Sequence, residues 1–418
     1  MSNNIKVVVI GGGAAGILAA ITAKKQFPKE TVVLLERNNI LGRKILITGA
    51  GRCNLTNTNL ATKPEEKYNH PDFVKTTFAR VGYKEIVAWF NDLGLETKEE
   101  EKNKTGKIFP VSDRADSVVN LLTAAVAEAG VEVKFGVTVK NIIKQKNGFV
   151  INLHNGDRLE TVKIILAAGG STYPALGADG SGFAIAKELG HQIVTPVPSG
   201  VSLEGKSRIS QELQGLKIMV EIVVPASKNV SGITGDLLFT KYGLSGMAVL
   251  KASRPISLSM HRAHQAWAEI NINFMPGYNT NTATKYWLER KKKHPSREVA
   301  TDWGGVFPGK FAAVFLNNLG FAPNIIWADL RETDVQKIAE ALTSYPWKIT
   351  ATRGWNEAEF TAGGVDTTEV NPDTLESKII PGLYLAGEVL DIDGDIGGYN
   401  LSWAWASGMV AGRLGSAK

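Results

Sequence analysis

Cysteine is nearly absent from this chain: its 418 residues include one, Cys53. A single thiol excludes an internal disulfide framework and a two-cysteine redox centre. No apolar stretch approaches the ~18 residues that a membrane-spanning helix requires, so no membrane partner is expected. The first strand begins almost at once after Met1, leaving no room for a charged-then-apolar leader, and the expected location is the cytoplasm. A module interleaving aromatic with basic residues is missing too. The positive surplus is modest, +6 with a pI near 9.1. An anionic cofactor or substrate accounts for that surplus as well as nucleic acid would. The sharpest basic run, Arg290-Lys291-Lys292-Lys293, follows Tyr286-Trp287-Leu288 and reads as a solvated helix face. Nucleic acid is therefore disfavoured as a partner. No metal site is expected.

What is present begins with Ile5 to Glu36, reading IKVVVIGGGAAGILAAITAKKQFPKETVVLLE. Val7-Val8-Val9-Ile10 is the β-branched run of a strand buried on both faces. It ends in G-x-G-x-x-G, with Gly11, Gly13 and Gly16 in the three slots. Gly11 permits a sharp turn out of the strand, Gly13 lets a pyrophosphate approach the backbone, and Gly16 lets the helix pack closely. The helix start then offers N–H groups and a partial positive charge to phosphates. A second apolar run, Thr31 to Leu35, ends at Glu36, about 20 residues past the last glycine, where an acid accepts hydrogen bonds from a ribose. The fingerprint specifies a dinucleotide and leaves FAD and NAD both open.

From Asn38 to Asn57 the chain is a long loop without periodicity, of the kind that carries function. Arg43, Lys44 and Arg52 suggest phosphate neutralisation; Gly49 and Gly51 suggest close approach to a flat ligand. Cys53 reads as a small packed residue, with no His or second Cys nearby to activate it. Helical spacing covers Asp72 to Phe90, and Ile108-Phe109-Pro110 is a short strand. Ser112 or Asp113 can cap the helix that runs to Ala129 before Gly130. Four strands are then expected, Val131–Phe135, Val137–Ile143, Gly148–Leu153 and Arg158–Leu166, as a meander with turns at Asn147-Gly148 and Asn155-Gly156-Asp157. By fold analogy, such an insertion is found in FAD-binding rather than plain NAD-binding proteins of this class.

A second Gly-rich turn, Ala167-Ala168-Gly169-Gly170, closes the last strand, and Gly180-Ser181-Gly182 opens a helix to Leu189. Composition changes at His191, with Pro196, Pro198 and Gly200 as boundary marks. The expected organisation is a first part at 1–190, an inserted domain at 191–345 and a return at 346–418. The insert is expected to be β-rich over about 191–275, with strands at Leu216–Val224, Ile256–Met260 and Ala268–Phe274, and helical over about 280–345. In the tail, Leu383 to Leu385 is a buried strand running into Gly387-Glu388, and Gly397-Gly398 starts a helix with Leu401, Trp405 and Met409 along one face. Such a second helix start can stabilise charge on a reduced flavin ring, and NAD-only proteins have no counterpart to it. The tail moves the choice to FAD.

Five stretches together carry a resemblance: GGGAAG at 11–16, LGRKILITGAGRCNLTN at 41–57, AAGGSTYPALGADGSG at 167–182, LLFTKYGLSG at 237–246, and the tail from Thr361 to Gly412. With them the chain resembles the bacterial aminoacetone-oxidase-like, or BaiN-like, family of NAD(P)/FAD-dependent flavoproteins. The resemblance implies an α/β fold: an FAD-binding Rossmann-like domain of the glutathione-reductase type, with an inserted β-barrel-like domain and a helical subdomain. It implies FAD contacts from Gly11, Gly13, Ala14, Ala15, Gly16, Glu36, Arg37, Arg43, Lys44, Gly51, Arg52, Cys53, Asn54, Val139, Ala168, Gly169, Tyr173, Gly387, Glu388, Gly397, Gly398, Tyr399, Asn400 and Leu401. Two departures stand out. The family's Phe-Thr-His is Phe239-Thr240-Lys241 here, and its Ser-Gly-Pro is Ser245-Gly246-Met247. A titratable imidazole has become a cation, so a shared general base at that place does not carry over.

The activity so implied is hydride exchange between flavin N5 and a small molecule. With no second G-x-G-x-x-G, the chain either passes electrons to oxygen or takes NAD(P)H only transiently. Amine oxidation needs a neutral amine near N5; reduction of an enoyl-type double bond needs a proton donor opposite N5. Lys241, Tyr173 and Tyr242 are the catalytic candidates, with Tyr399 a further donor. The alternatives are an RNA-associated flavoprotein and a flavin-binding sensor without turnover. The expected state is monomer or homodimer.

Overall fold

The computed structural model describes residues 5–101, 105–225 and 232–415. The chain forms two compact units, Met1–Pro196 with Phe360–Lys418, and Val197–Glu359.

The first unit is built on a parallel sheet. Ile5–Ile10 lies between Thr31–Leu35 and the latter half of Arg158–Leu166, parallel to both. Glu132–Lys134 extends the sheet beyond Thr31–Leu35, and Leu383–Leu385 extends it beyond Arg158–Leu166. Val7, Val8 and Val9 have no exposed surface, which is why this strand can be apolar at every position. Helix Ala14–Gln26 packs along the C-terminal helix Tyr399–Gly412, and small residues set the spacing. A Cβ on Gly408 would stand 2.3 Å from the Ala15 carbonyl oxygen, and one on Gly412 2.6 Å from Thr22 Cβ. The C-terminal helix is therefore buried almost all round, not along a single face.

Three expectations for this unit are corrected. The meander has three strands, Val139–Gln145, Gly148–Leu153 and Arg158–Leu166. The run expected as its first strand instead joins the parallel sheet, because Val33, Leu34 and Leu35 pair with Glu132, Val133 and Lys134. Arg158–Leu166 serves both arrangements, antiparallel to the meander at its start and parallel to Ile5–Ile10 at its end. The helix expected over 72–90 is two, Pro71–Arg80 and Tyr83–Asp92, and the Gly82 N–H donates to Glu85 Oε2 at 2.9 Å to restart it. Neither Ser112 nor Asp113 caps Ala115–Glu128: Arg114 holds that place, while Asp113 is left-handed and pairs with Lys98.

The second unit carries a seven-stranded sheet in the order Tyr345–Ile349, Ala268–Asn273, Lys217–Val223, Ile233–Thr240, Gly243–Ser245, Leu203–Glu204, Ala351–Thr352. All its pairings are antiparallel. The two end strands are one stretch of chain interrupted at Thr350, so the sheet returns on itself like a barrel. This stretch also places the unit's limit at Glu359 rather than 345, since Ile349 pairs with Ala268 and Thr352 with Leu203. Ile256–Met260, expected as a strand, lies within helix Met247–His261. Ala248, Val249, Ala252 and Ile256 are buried at helical spacing, and the internal Pro255 obscures that period in the sequence. Four α-helices lie between the strands Ala268–Asn273 and Tyr345–Ile349: Thr280–Lys293, Val299–Trp303, Gly309–Asn318 and Glu332–Thr343.

Candidate flavin site

The fingerprint turn gives each glycine a different task. Gly11 has φ +103°, and a Cβ there would stand 2.5 Å from the Ala167 carbonyl oxygen. A Cβ on Gly16 would stand 1.8 Å from the Gly11 carbonyl oxygen, so strand and helix touch backbone to backbone. Gly13, by contrast, has no atom within 4 Å of that position and precedes a helix that no side chain caps. An open surface beside bare helical N–H groups suits a phosphate.

Glu36 sits beside this turn, 7% exposed. Its Oε2 accepts the Gly12 N–H at 2.7 Å, and its Oε1 accepts both the backbone N–H and the side-chain amide of Asn38 at 2.7 Å. Its orientation is thus set from two sides, and Oε2, with a single donor, keeps a lone pair for a hydroxyl. The rim continues through Arg43, which donates to Asn38 Oδ1 at 2.8 Å, and Arg37, which pairs with Asp179. Val139 starts the first meander strand near this rim, where the Val137 N–H donates to the Glu36 carbonyl at 3.0 Å.

Lys44 joins three segments far apart in sequence. Its Nζ donates to Thr172 Oγ1 at 2.6 Å and to Glu388 Oε2 at 2.7 Å, while Glu388 Oε1 accepts the Thr361 N–H at 2.7 Å. Burial pushes the Glu388 carboxyl up, but the charge and hydrogen bond of Lys44, with the Thr361 contacts, outweigh it, and the net shift is downward. Lys44 is therefore an ion-pair partner rather than a cation held open for phosphate. Arg52 is likewise engaged, with Glu100 at 3.1 Å and over the Phe109 ring at 4.1 Å. Sequence reasoning missed Thr172 and Thr361, because nothing local marks a threonine that serves a lysine 128 residues away or a glutamate 27 residues away.

The loop carrying Gly49, Ala50, Gly51 and Cys53 is left-handed at all four. A Cβ on Gly51 would meet one atom within 4 Å, the Leu46 carbonyl oxygen at 3.9 Å. Cys53 does not fit its expected role as a cofactor contact. It has no exposed surface, so no ligand can touch it, and burial pushes its thiol up to about 12 against a weaker opposing hydrogen bond from Thr48. Around the second turn, Gly169 has φ +75° and Tyr173 is itself left-handed at +55°. Ala168 packs where a Cβ on Gly182 would be 2.9 Å away.

At the C-terminal helix start, Gly397 and Gly398 have φ of +144° and +97°, and no side chain caps the helix. The Gly387 N–H donates to Ser407 Oγ at 2.9 Å. Asn400 does not present its amide outward: Oδ1 accepts the Gly394 N–H at 2.8 Å and Nδ2 donates to the Gly394 carbonyl at 2.9 Å. Tyr399 is buried, and its hydroxyl accepts from Asn59 Nδ2 at 3.2 Å. Leu401 remains partly exposed one turn in. The preceding loop is held by residues the sequence reading passed over. Asn69 exchanges backbone and side-chain bonds with Asp391 and Asp393, and His70 Nε2 meets Asp391 Oδ2 at 3.0 Å.

The catalytic candidates do not form one constellation within either unit. Tyr173 belongs to the first. Lys241 and Tyr242 form the tip of a hairpin in the second, where Lys241 is exposed and the Arg353 guanidinium lies 4.5 Å above the Tyr242 ring. The basic run at 290–293 is partly neutralised. Arg290 and Arg297 both bond the buried Asp302 at 2.7 Å, and Lys291 Nζ donates to the carbonyls of Trp327 and Leu330 at 2.6 Å. Among the described residues no helix is long and apolar enough to cross a membrane.

Two bare helix starts, a glycine turn open to a pyrophosphate and a fixed buried acid fit FAD. A Rossmann-type sheet interrupted by a meander, with that site at the strand ends, defines an FAD-dependent oxidoreductase. The chain belongs to the HI0933-like protein Rossmann domain family, whose model matches residues 5–414. It is 35% identical to a 3-dehydro-bile acid delta(4,6)-reductase of Clostridium scindens, over 98% of each chain. It is 31% identical to a ribosomal RNA dihydrouridine synthase of Escherichia coli, over 96% of this chain and 95% of that one. Among solved structures, a 3-ketosteroid delta1-dehydrogenase from Sterolibacterium denitrificans matches 98% of this chain and 99% of its own at a TM-score of 0.50 and 12% identity, a likeness of fold.

Proposed function

We propose that this protein reduces a carbon–carbon double bond conjugated to a carbonyl, using FAD, with NAD(P)H as a transient electron donor. One observation carries the reading. Two relatives matched over nearly their whole length are named for such reductions, one on a 3-dehydro-bile acid and one yielding dihydrouridine. In both, the alkene is polarised by a carbonyl. Amine oxidation, the other reaction the resemblance implies, has no counterpart in those names.

Bound flavin, once reduced by NAD(P)H, would supply the hydride. The hydride's electron pair forms a C–H bond at the carbon remote from the carbonyl, and the displaced π pair takes a proton at the nearer carbon. The protein's part is to hold the cofactor and deliver that proton. The fixed Glu36 carboxylate and the bare helix starts at Gly13 and Gly398 serve the first task. Tyr173, Lys241 and Tyr242 are the candidates for the second. Lys241 offers an ammonium where the family offers an imidazole, so the donor differs in kind from a histidine acid.

RNA as the substrate is the second reading, favoured by the dihydrouridine synthase relative and the +6 charge. Against it, two cations of the main basic run are bound within the protein. Anaerobic photometry tests both. Flavin reduced with NADPH or NADH should be reoxidised stoichiometrically by a conjugated 3-oxo steroid, with the saturated product formed, or by unmodified ribosomal RNA under the second reading. Oxidised flavin bleached by simple amines, with no reoxidation by any conjugated alkene, would overturn the proposal.

A further inference from the structure

We infer that His70, acting through Asp391, is a positioning residue for the helix start at Gly398, and that its imidazolium form is the one in which the protein holds FAD best. The inference rests on FAD as the cofactor and not on which substrate is reduced.

Residues 67–70 run antiparallel to 391–395, the stretch that leads into Gly397 and Gly398. The Asp395 N–H donates to the Lys67 carbonyl at 2.9 Å, and the Asn69 N–H to the Asp393 carbonyl at 3.1 Å. The Asp393 N–H returns a bond to Asn69 Oδ1 at 3.0 Å. A Cβ on Gly394 would stand 2.8 Å from the Tyr68 ring, so the two stretches touch without slack. The Tyr68 hydroxyl donates to the Tyr399 carbonyl at 2.7 Å, which carries the clamp into the first turn of the C-terminal helix. Gly394 is tied to that turn as well, through both bonds of the Asn400 amide. A shift of 67–70 is therefore felt at Tyr399 and at the two glycines before it.

His70 closes the far end of this clamp. Its Nε2 meets Asp391 Oδ2 at 3.0 Å, with the His70 side chain 39% exposed and the Asp391 side chain 9%. A proton can reach the imidazole from water, while the carboxylate it serves has little water of its own. Among the described residues, the other donor to that carboxylate is Asn69 Nδ2, at 3.3 Å. A neutral imidazole leaves Asp391 as a nearly buried charge held by neutral donors, and an imidazolium answers it with a charge.

The surroundings favour the charged form. The hydrogen bond to Asp391 raises the His70 pKa most, burial opposes it, and the charges of Asp391, Asp393 and Asp366 raise it further. On its own helix, Pro71–Arg80, the partial positive charge of the N-terminus works against the proton and Asp72 in the first turn works for it. The folded value lies above the ordinary 6.5. The clamp is therefore at full strength below the ordinary value and weakens as pH rises through the folded one. Because the clamp ends on the helix start assigned to the flavin, FAD affinity follows the same curve, and bound FAD in turn favours the proton on His70.

The test dilutes the holoprotein at a series of pH values from about 5 to 8, where histidine changes charge, and follows released FAD by its fluorescence. The dissociation constant should rise about fivefold across that range, the ratio between a charge-assisted and a neutral hydrogen bond. His70→Gln keeps an N–H within reach of Asp391 and cannot titrate, so its affinity should not change with pH. Asp391→Asn should flatten the profile too and lower the His70 pKa read by NMR. The same NMR titration should give native His70 a higher pKa with FAD bound than in the flavin-free chain. A flat native profile would overturn the inference. A constant ratio between native protein and His70→Gln at every pH would overturn it as well, reducing the pair to a structural tie. Should His70→Gln fail to fold in thermal melts, Asp391→Asn carries the same test. Protein that binds no FAD at any pH would overturn the cofactor assignment along with the inference, whereas the expected profile without alkene reduction would sink only the proposed reaction.

Discussion

In the first unit, three loops each carry two or more left-handed residues: Gly49, Ala50, Gly51 and Cys53; Tyr173, Gly177 and Gly180; Gly397 and Gly398. In the second, the largest buried side chains meet one another, with the Trp287 ring centroid 5.5 Å from Trp303 and 5.9 Å from Trp327, and Phe311 5.0 Å from Phe315. Both units bury polar atoms without partners, but in different settings. The Trp287 and Trp303 indole N–H groups lie among aromatic faces, which are weak acceptors, whereas Asn54 Oδ1 lies beside a bare helix start. The first unit therefore depends on backbone freedom at a few glycines, and the second on side-chain volume and on one buried carboxylate.

Substitutions in the two units should separate these dependences. The largest effect is expected at Gly398→Val. A Cβ there would stand 2.7 Å from the Thr56 carbonyl oxygen, and φ is +97°. A β-branched residue in that conformation should cost on the order of 3 kcal/mol. The melting temperature should drop and bound flavin should be lost. Retained flavin with an unchanged reduction potential would show that the glycine serves packing alone.

Asp302→Ala comes next and acts on the other unit. The carboxylate is fully buried between Arg290 and Arg297, whose side chains are 32% and 41% exposed and can be rehydrated. The loss should be about 2 kcal/mol, below that for a fully buried pair. The flavin spectrum should not change. Burial raises the Asp302 pKa, the two arginines more than offset it, and the folded value lies below the ordinary one. Its stabilisation is therefore full above the unfolded carboxylate pKa and fades as pH falls through the folded one. Urea melts of the native protein and Asp302→Ala should converge in that acid range; a constant gap would refute the charge account.

Glu36→Ala removes an acceptor of three protein donors beside the fingerprint turn. FAD affinity should weaken about tenfold, or about 1.4 kcal/mol, with Asp302-dependent stability untouched. Release of FMN rather than FAD from heated protein would break the reading of Glu36 as a ribose contact. The smallest effect is expected at Cys53→Ser. The thiol is buried and its pKa lies near 12, so it does no redox chemistry at neutral pH. Stability should change by about 1 kcal/mol, while flavin binding and reduction by NADPH stay as they were. Flavin that binds but can no longer be reduced would assign the thiol a role.

Local rules carried the sequence reading wherever structure depends on neighbours in the chain. The strand Ile5–Ile10, the glycine turn, the helix behind it and the acid at Glu36 were all legible, because periodicity and the stereochemistry of Gly11 and Gly16 act over a few residues. The helix start at Gly398 was legible for the same reason. What the sequence could not express is which distant groups saturate one another. Lys44 and Glu388 are 344 positions apart, and their ion pair turns two expected ligand contacts into partners of each other. Pairing with Thr31–Leu35 moved Glu132–Lys134 out of the meander, and pairing on either side of Thr350 closed the second unit's sheet. Burial of Cys53 and the unanswered acceptor of Asn54 appear only once the loop around them is folded. The alphabet of turns and periods is short-ranged, so it specifies elements; hydrogen-bond and charge saturation is a property of the whole packed chain, and the tertiary structure alone decides it.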